Sequence, residues 1–445
     1  MLLKQLDRFA GVQIIKLSPI LEESAQVRLQ YYAYLKRLIR MGKWDQRKYA
    51  RAQLAFYNEI LCGDLGTCSL PRRISFDPRF CMLLPYDLVT ILGYHAGIIT
   101  PDRIELLVSR IASDFSLKIR ETDHLFKAFE AAMGDMAAWQ SVLRRNRSKE
   151  FFDYLNMVRR NIRHLQLRPF QILITATMSA GKSTLINALV GKDISRMQNM
   201  ACTSKLHKIV SKPMDDGVTG EYDHSLTMNA SPEELLEDNN ENKSSLIIVG
   251  TYFESALAGK RIVLIDSPGV NSSQNQEHAR ITEQVLHAGR HRLILYVLNA
   301  TQLGTNDESR HLELVRQKLG RRKIIFVMNK IDKLISEDED LMGILERQKN
   351  FLVSKGFTNA MICPVSSRAA YLARKKQRDS LSRIEQREIE NYMYKFEESS
   401  LTEYYETVLD RPGYTSKDET EALLINCGFS YLETILSEYY KEEVN

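Results

Sequence analysis

One stretch of this 445-residue chain has the residue types to hold a phosphate. From Ala176 it reads Ala-Thr-Met-Ser-Ala-Gly-Lys-Ser, ending at Ser183. That is the phosphate-binding loop G-x-x-x-x-G-K-[ST], with Ala176 in place of the first glycine. Backbone N–H groups over Ser179, Ala180, Gly181, Lys182 and Ser183 can wrap an oxyanion. The N-terminus of the helix that follows adds partial positive charge. Lys182 would reach the β- and γ-phosphates of a nucleotide, and the Ser183 hydroxyl would bind Mg²⁺. Thr184 extends the run of candidate nucleotide contacts.

Further along, each candidate residue stands at the end of an apolar run. Thr203 lies in the polar loop before Leu206–Val210, where a threonine can close over Mg²⁺ and the γ-phosphate as a first switch. Ile262–Ile265 ends at Asp266, and Gly269 follows in D-x-x-G spacing. Asp266 can hold Mg²⁺ through water, and the Gly269 N–H can bind and release the γ-phosphate as a second switch. Val270 stands where Ras-type GTPases carry a water-positioning glutamine. Ile324–Met328 runs into Asn329-Lys330-Ile331-Asp332. The Asp332 carboxylate can accept the N1–H and 2-amino group of guanine, a pairing adenine cannot offer, so a wrong base would leave it buried and unpaired. Asn329 can bond the far edge of the base, and the Lys330 stem can lie along it. Ser366, Ser367 and Arg368 follow the last apolar run, where a loop N–H can meet guanine O6. The order of these motifs points to GTP and GDP, with Mg²⁺, as ligands. Their place at successive strand ends matches where parallel sheets bind.

The elements that must position them are also legible. Ile172–Ile174 reads as a buried strand. Leu185, Ile186, Leu189 and Val190 form a helical stripe that Gly191 can end. Strands are expected at Ile262–Ile265, Leu293–Leu298, Ile324–Met328 and Met361–Val365, giving an α/β domain with a mostly parallel sheet. Residues up to about Arg168 read as helical. Tyr31, Tyr32, Leu35 and Ile39 share one face. A helix opens at Thr100-Pro101-Asp102, with Thr100 as cap, and carries Ile104, Leu107, Val108, Ile111 and Phe115. Gly63 to Pro85 is expected to be a long connection. Phe151, Leu155, Val158, Ile162 and Leu165 make a seam for a partner helix. The basic residues Arg144, Arg145, Arg147, Lys149, Arg159, Arg160 and Arg163 around it suit a solvated face or an anionic surface. After the sheet, Leu381 to about Glu406 reads as a charged helix with Ile384, Tyr392 and Phe396 for packing. Leu432 to Tyr439 is a second amphipathic stripe.

Composition narrows the class. Hydrophobic residues make up 44% and charged residues 26%, an ordinary globular balance. A net charge of +5 is too small to argue for nucleic acid as the main partner. No run of about eighteen apolar residues suggests a membrane span. The first residues, Met1-Leu-Leu-Lys-Gln-Leu-Asp-Arg, lack a signal-peptide core. The six cysteines form no C-x-x-C pair or zinc pattern, so reduced thiols in a cytoplasmic protein are expected.

The phrase Met178-Ser-Ala-Gly-Lys-Ser-Thr-Leu-Ile-Asn-Ala-Leu189 resembles bacterial dynamin-family proteins, whose loop reads S-A-G-K-S. The resemblance covers roughly Leu155 to Tyr440. It implies a GTPase that hydrolyses GTP when two GTPase domains meet. Ser179 would then hold a charge-compensating cation or position the water, and a membrane role becomes an expectation. Met178 stands where eukaryotic dynamins carry a water-positioning glutamine. The chain ends soon after the GTPase domain, with little room for a long stalk, which the N-terminal helices or a partner protein would supply. The resemblance implies a helical N-terminal domain (1–145), a neck helix (146–168), a GTPase domain (169–410) and a C-terminal helix (411–445) packing on the neck or the GTPase domain. In the neck, the Phe151–Leu165 seam would pair with the Leu432–Tyr439 stripe. Two other readings stand beside it. One is an Era-like ribosome- or RNA-associated GTPase, although no KH-like G-x-x-G module follows. The other is a GTP-dependent binding switch with negligible hydrolysis, suggested by Met178 and Val270.

Overall fold

The fold is taken from a computed structural model, which describes residues 2–63, 75–94, 97–145, 148–195, 206–223, 225–237, 246–268, 283–287, 291–320, 322–335 and 340–444. The chain divides into two compact units. The first holds Met1–Arg168, Lys212–Ala230 and Gly250–Tyr252; the second holds Pro169–Ser211, Ser231–Val249 and Phe253–Asn445.

The first unit is built from helices α1 (Leu2–Ala10), α2 (Ala25–Met41), α3 (Lys48–Cys62), α4 (Leu84–Leu92), α5 (Pro101–Asp114), α6 (Ile119–Ala132), α7 (Ala138–Arg145) and α8 (Lys149–Gln166). Every residue of α4 is buried, as a helix apolar on all sides requires. It lies among α2, α3 and α6. Its one carboxylate residue, Asp87, therefore sits in the core. The carboxylate accepts the Tyr31 hydroxyl of α2 at 2.5 Å and the Tyr57 hydroxyl of α3 at 2.9 Å. Three helices are thus joined through one buried carboxyl group. A short 3-10 helix, Pro78–Met82, and the start of α4 occupy part of the span expected to be a connection. Thr100 precedes α5 as expected, but its side chain makes no capping bond.

Burial pushes the Asp87 carboxyl up to about 7, outweighing the pull of its two tyrosine partners. The folded state then keeps a proton that the unfolded chain gives up near 3.8. Stability is full below that value and falls as pH rises toward 7. At 1.36 kcal/mol per unit, the loss is roughly 4 kcal/mol. Asp87→Asn carries no such titration. Urea unfolding at a series of pH values should show the variant gaining on the parent between pH 4 and 7, by an amount of this order. Parallel pH profiles for the two proteins would contradict it.

The α8 seam is covered inside its own unit. The Phe151 ring lies 5.7 Å from Phe80, and α8 packs on α7 and on the 3-10 turn Pro19–Glu22. A polar residue adds to it. The buried Asn161 accepts the Val12 N–H at 3.0 Å and donates to the Tyr94 hydroxyl at 3.0 Å. Residues 212–230 belong to this unit and carry a buried ion pair. Lys212 holds Asp216 at 2.9 Å, and Asp216 also accepts the Gln13 N–H at 2.6 Å. Strands β3 (Gly220–Tyr222) and β4 (Leu226–Thr227) form an antiparallel pair here.

The second unit carries the sheet. Its strands are β1 (Phe170–Ala176), β2 (Leu206–Ser211), β5 (Leu246–Thr251), β6 (Ile262–Asp266), β7 (Leu293–Asn299), β8 (Lys323–Asn329) and β9 (Ile362–Val365), in the order β5-β2-β6-β1-β7-β8-β9. β6, β1, β7, β8 and β9 are parallel, and β2 runs against β6. The expected α/β class with a mostly parallel sheet is what forms. Continuous apolar runs make these strands because both faces are covered by helices. The helices are α9 (Lys182–Val190), α10 (Pro232–Glu237), α11 (Asn306–Lys318), α12 (Leu341–Ser354), α13 (Ser367–Arg378), α14 (Arg383–Glu398), α15 (Thr402–Thr407), α16 (Glu419–Asn426) and α17 (Phe429–Val444). The charged helix expected to run to about Glu406 breaks between α14 and α15, where the Leu401 N–H bonds to Asn426 O at 2.9 Å. Tyr392 and Phe396 of α14 are buried, but Ile384 is 79% exposed. On α17, Leu432, Ile435 and Leu436 are buried as the helix packs on β1 and β9. The expected pairing of this stripe with the α8 seam is therefore not needed to bury either. No helix among the described residues is long and apolar enough to cross a membrane. Cys62, Cys81, Cys363 and Cys427 are buried; Cys68 and Cys202 lie outside the described residues.

Candidate nucleotide site

The loop after β1 turns through two left-handed residues, Ser179 at φ +59° and Gly181 at φ +84°. Gly181 begins α9, and no side chain caps that helix. A Cβ at Gly181 would stand 2.3 Å from Asn329 Nδ2, so both the turn and the close approach need glycine. Ala180 is buried and Ser179 exposed, while Ser183 and Thr184 on the first turn are half-buried. A turn of this shape with uncapped helical N–H groups can cradle an anion.

Lys182 is 8% exposed and donates to Asp266 Oδ1 at the end of β6, where the aspartate is fully buried. The other oxygen, Asp266 Oδ2, is buried and takes no hydrogen bond. A buried carboxylate oxygen without a donor, together with the Ser183 hydroxyl, is the hard-oxygen chemistry that suits Mg²⁺. These residues fit that ion.

The other end of the site is tied to the loop by one side chain. Asn329, the last residue of β8, donates from Nδ2 to Ala180 O at 2.9 Å and accepts the Ser367 N–H on Oδ1 at 3.0 Å. Lys330 takes φ +64° and turns the chain into a 3-10 turn, Ile331–Lys333. Burial pulls its ammonium below the usual lysine range. Asp332 is 4% exposed, and its Oδ1 accepts the Ser366 hydroxyl at 2.6 Å. Ser366 also caps α13 by accepting the Ala369 N–H. The Arg368 guanidinium forks onto Glu388 of α14 at 3.0 and 2.6 Å and lies over the Tyr371 ring. Its side chain is committed there. Any contact from position 368 to a base is left to its backbone.

The structure thus brings Ala180, Gly181, Asn329 and Ser367 together, pairs Lys182 with Asp266, and joins Asp332 to Ser366. These groups follow the carboxyl ends of β1, β6, β8 and β9, all parallel. Thr203, Gly269 and Val270 lie outside the described residues. Two neighbours were not singled out from the sequence. Asn299 ends β7 in register with Asn329 and donates to Ser179 O at 3.4 Å. Lys395 of α14 donates to the Asp332 carbonyl and holds the 3-10 turn. Asn299 stands at a strand end, as the other site residues do, which is the one cue that could have found it. Lys395 sits in an ordinary charged helix.

Comparison with known proteins gives one family. Residues 172–331 match the model of the dynamin family. The chain is 26% identical over 244 residues to a bacterial dynamin-like protein of Nostoc punctiforme, covering 51% of this chain and 34% of that protein. It is 26% identical over 250 residues to a probable chloroplastic transmembrane GTPase, FZO-like, of Arabidopsis thaliana, covering 52% and 24%. It therefore spans about a third and a quarter of these relatives. Among solved structures, an oligomerised bacterial dynamin pair aligns at 16% identity and TM-score 0.38, over 84% of this chain and 62% of that one.

Proposed function

For a chain that carries a GTPase domain of the dynamin family, we propose binding of GTP and GDP with Mg²⁺, hydrolysis of GTP to GDP and phosphate, and action as a nucleotide-driven mechanical or assembly switch. The observation that carries the proposal is Asn329. One buried amide joins the phosphate loop to the loop that would read the base, so phosphate and guanine are recognised as one unit. Lys182 would leave Asp266 for the β- and γ-phosphates. Ser183 and Asp266 would hold Mg²⁺, which neutralises charge on those phosphates. Thr203 would close the first switch and the Gly269 N–H the second. Asp332 would accept from guanine through Oδ2, while Ser366 keeps the carboxylate oriented through Oδ1. A loop N–H of the Ser366–Arg368 stretch would meet O6, that of Ser367 being given to Asn329 Oδ1, and Lys330 would cover the base. Ser179, exposed at the loop tip, would hold a compensating cation or the water when two GTPase domains meet.

Self-association through that face and contact with an anionic membrane complete the proposal. The exposed side chains of Arg144, Arg160 and Arg163 support the membrane contact. Single-turnover GTP hydrolysis tests the reaction. The rate constant should rise roughly tenfold or more from dilute to concentrated protein, as when a second protein supplies a transition-state group in trans. Measurable hydrolysis independent of concentration would remove the self-association step. No cleavage at any concentration would leave a GTP-dependent binding switch, in keeping with Met178 and Val270.

A further inference from the structure

A second concentration of positive charge lies in the first unit, among residues with no part in the nucleotide site. A cavity of about 470 Å³ in the other unit, between α13, α16 and α17, mixes both signs of charge and selects no ligand. The cavity in the first unit differs. It encloses about 360 Å³ and is walled by Arg8 and Phe9 of α1, Arg47 and the first turn of α3, Leu92, and Tyr222 and Leu226 of the β3–β4 pair. Among the described residues no carboxylate lines it. Glu221 neighbours Tyr222 on β3, and strand alternation sends it to the opposite face.

Three observations give the cavity a preference. The first is charge: Arg8, Arg47 and Lys48 converge there, and no ion pair neutralises any of them among the described residues. The second is an unmet donor. Arg8 Nε is buried and has no hydrogen-bond partner. The guanidinium is held in place by the Tyr49 ring, 4.8 Å from it, and by Gly93, where a Cβ would come within 3.0 Å of the arginine stem. An unpaired buried donor costs stability unless something meets it. The third is the start of α3. Arg47 precedes the helix without making a side-chain cap, and Lys48, Tyr49 and Ala50 of the first turn line the cavity, which sets it beside uncapped N–H groups and the positive end of the helix dipole. Phe9, Tyr49 and Tyr222 supply flat apolar walls beside these donors.

We propose that this cavity binds a phosphate ester. The phosphate would meet Arg8, Arg47, Lys48 and the α3 N–H groups, and the organic body would rest on Phe9, Tyr49 and Tyr222. Charge-assisted bonds to phosphate are the strong kind, and a fixed guanidinium fork loses little freedom in making them. Both a soluble phosphorylated metabolite and a phospholipid headgroup present this chemistry.

The test uses the full chain saturated with GDP and Mg²⁺, so that the phosphate loop is filled. Isothermal titration with phenyl phosphate should show one site. Arg8→Met and Lys48→Glu should each weaken it by about tenfold or more, the worth of one charge-assisted bond. GDP affinity should stay unchanged in both. Lys48 is exposed, so its variant keeps the fold even if Arg8→Met does not. If the natural source is a headgroup, phosphatidylglycerol vesicles will sediment the parent and displace phenyl phosphate. Phosphatidylcholine vesicles and the Lys48→Glu protein will do neither. If the source is soluble, phenyl phosphate will bind and no vesicle will compete. Absence of phenyl phosphate binding by the GDP-loaded parent, or equal binding by Lys48→Glu, would overturn the proposal.

Discussion

Lys182→Ala is expected to lose nucleotide affinity by roughly 10²- to 10⁴-fold, the worth of one buried charged contact at 1.4 kcal/mol per tenfold. The structure adds a second consequence. Lys182 is the hydrogen-bonded partner of Asp266, which is wholly buried and has no donor on its other oxygen. Removing the lysine strands that carboxylate, and breaking a buried pair costs about 3–5 kcal/mol. The variant should therefore bind poorly and also unfold at lower denaturant. These two effects come apart in the double variant Lys182→Ala/Asp266→Asn. Without a buried charge it should recover much of the stability, because residues in contact are not additive. It should recover none of the binding. Fluorescent GDP titration and urea unfolding measure the two quantities. Single-variant affinity within about threefold of the parent would remove Lys182 from the site.

Asp332→Asn should change which base is read. The carboxylate offers two acceptors, and Ser366 uses one of them at 2.6 Å. An amide keeps an oxygen for Ser366 but turns its other atom into a donor. Guanine would then present donors to a donor, whereas xanthine presents an acceptor at the same edge. GTP affinity should fall by roughly 10²-fold or more, and XTP should compete better than GTP. The Ser366 bond makes this a change of specificity more than of fold. Competition of GTP, XTP and ATP against fluorescent GDP decides it. Equal competition by ATP and GTP in the parent would remove the guanine assignment. An Asp332→Asn protein that still preferred GTP over XTP would move the base elsewhere.

How much of this was legible in the sequence depends on how far apart the cooperating residues lie. The phosphate loop was readable because its chemistry is local. Consecutive N–H groups, a glycine at φ +84° and the helix start at Lys182 fall within a few residues of one another. The strands were readable because both faces are buried, so each is a short apolar run ending at a polar residue: Asp266 after Ile262–Ile265, Asn329 after Ile324–Met328. The parallel sheet class followed from those runs alternating with helical stripes.

What only the tertiary structure decided are the contacts between distant segments. Lys182 and Asp266 are 84 positions apart, and Asn329 and Ala180 are 149 apart. Lys395 reaches the base-reading turn from a helix whose charges look like any solvated face. Residues 212–230 lie between two site motifs in sequence yet fold with the N-terminal helices, where Asp216, held by Lys212, accepts the Gln13 N–H. The α8 seam announced that it needed cover, but its spacing could not say from where, and Phe80 supplied it. Periodicity records which face of an element is buried, a property of one short segment. The partner that buries it is set by packing the whole chain at once, where volume, burial and unmet hydrogen bonds must be satisfied together.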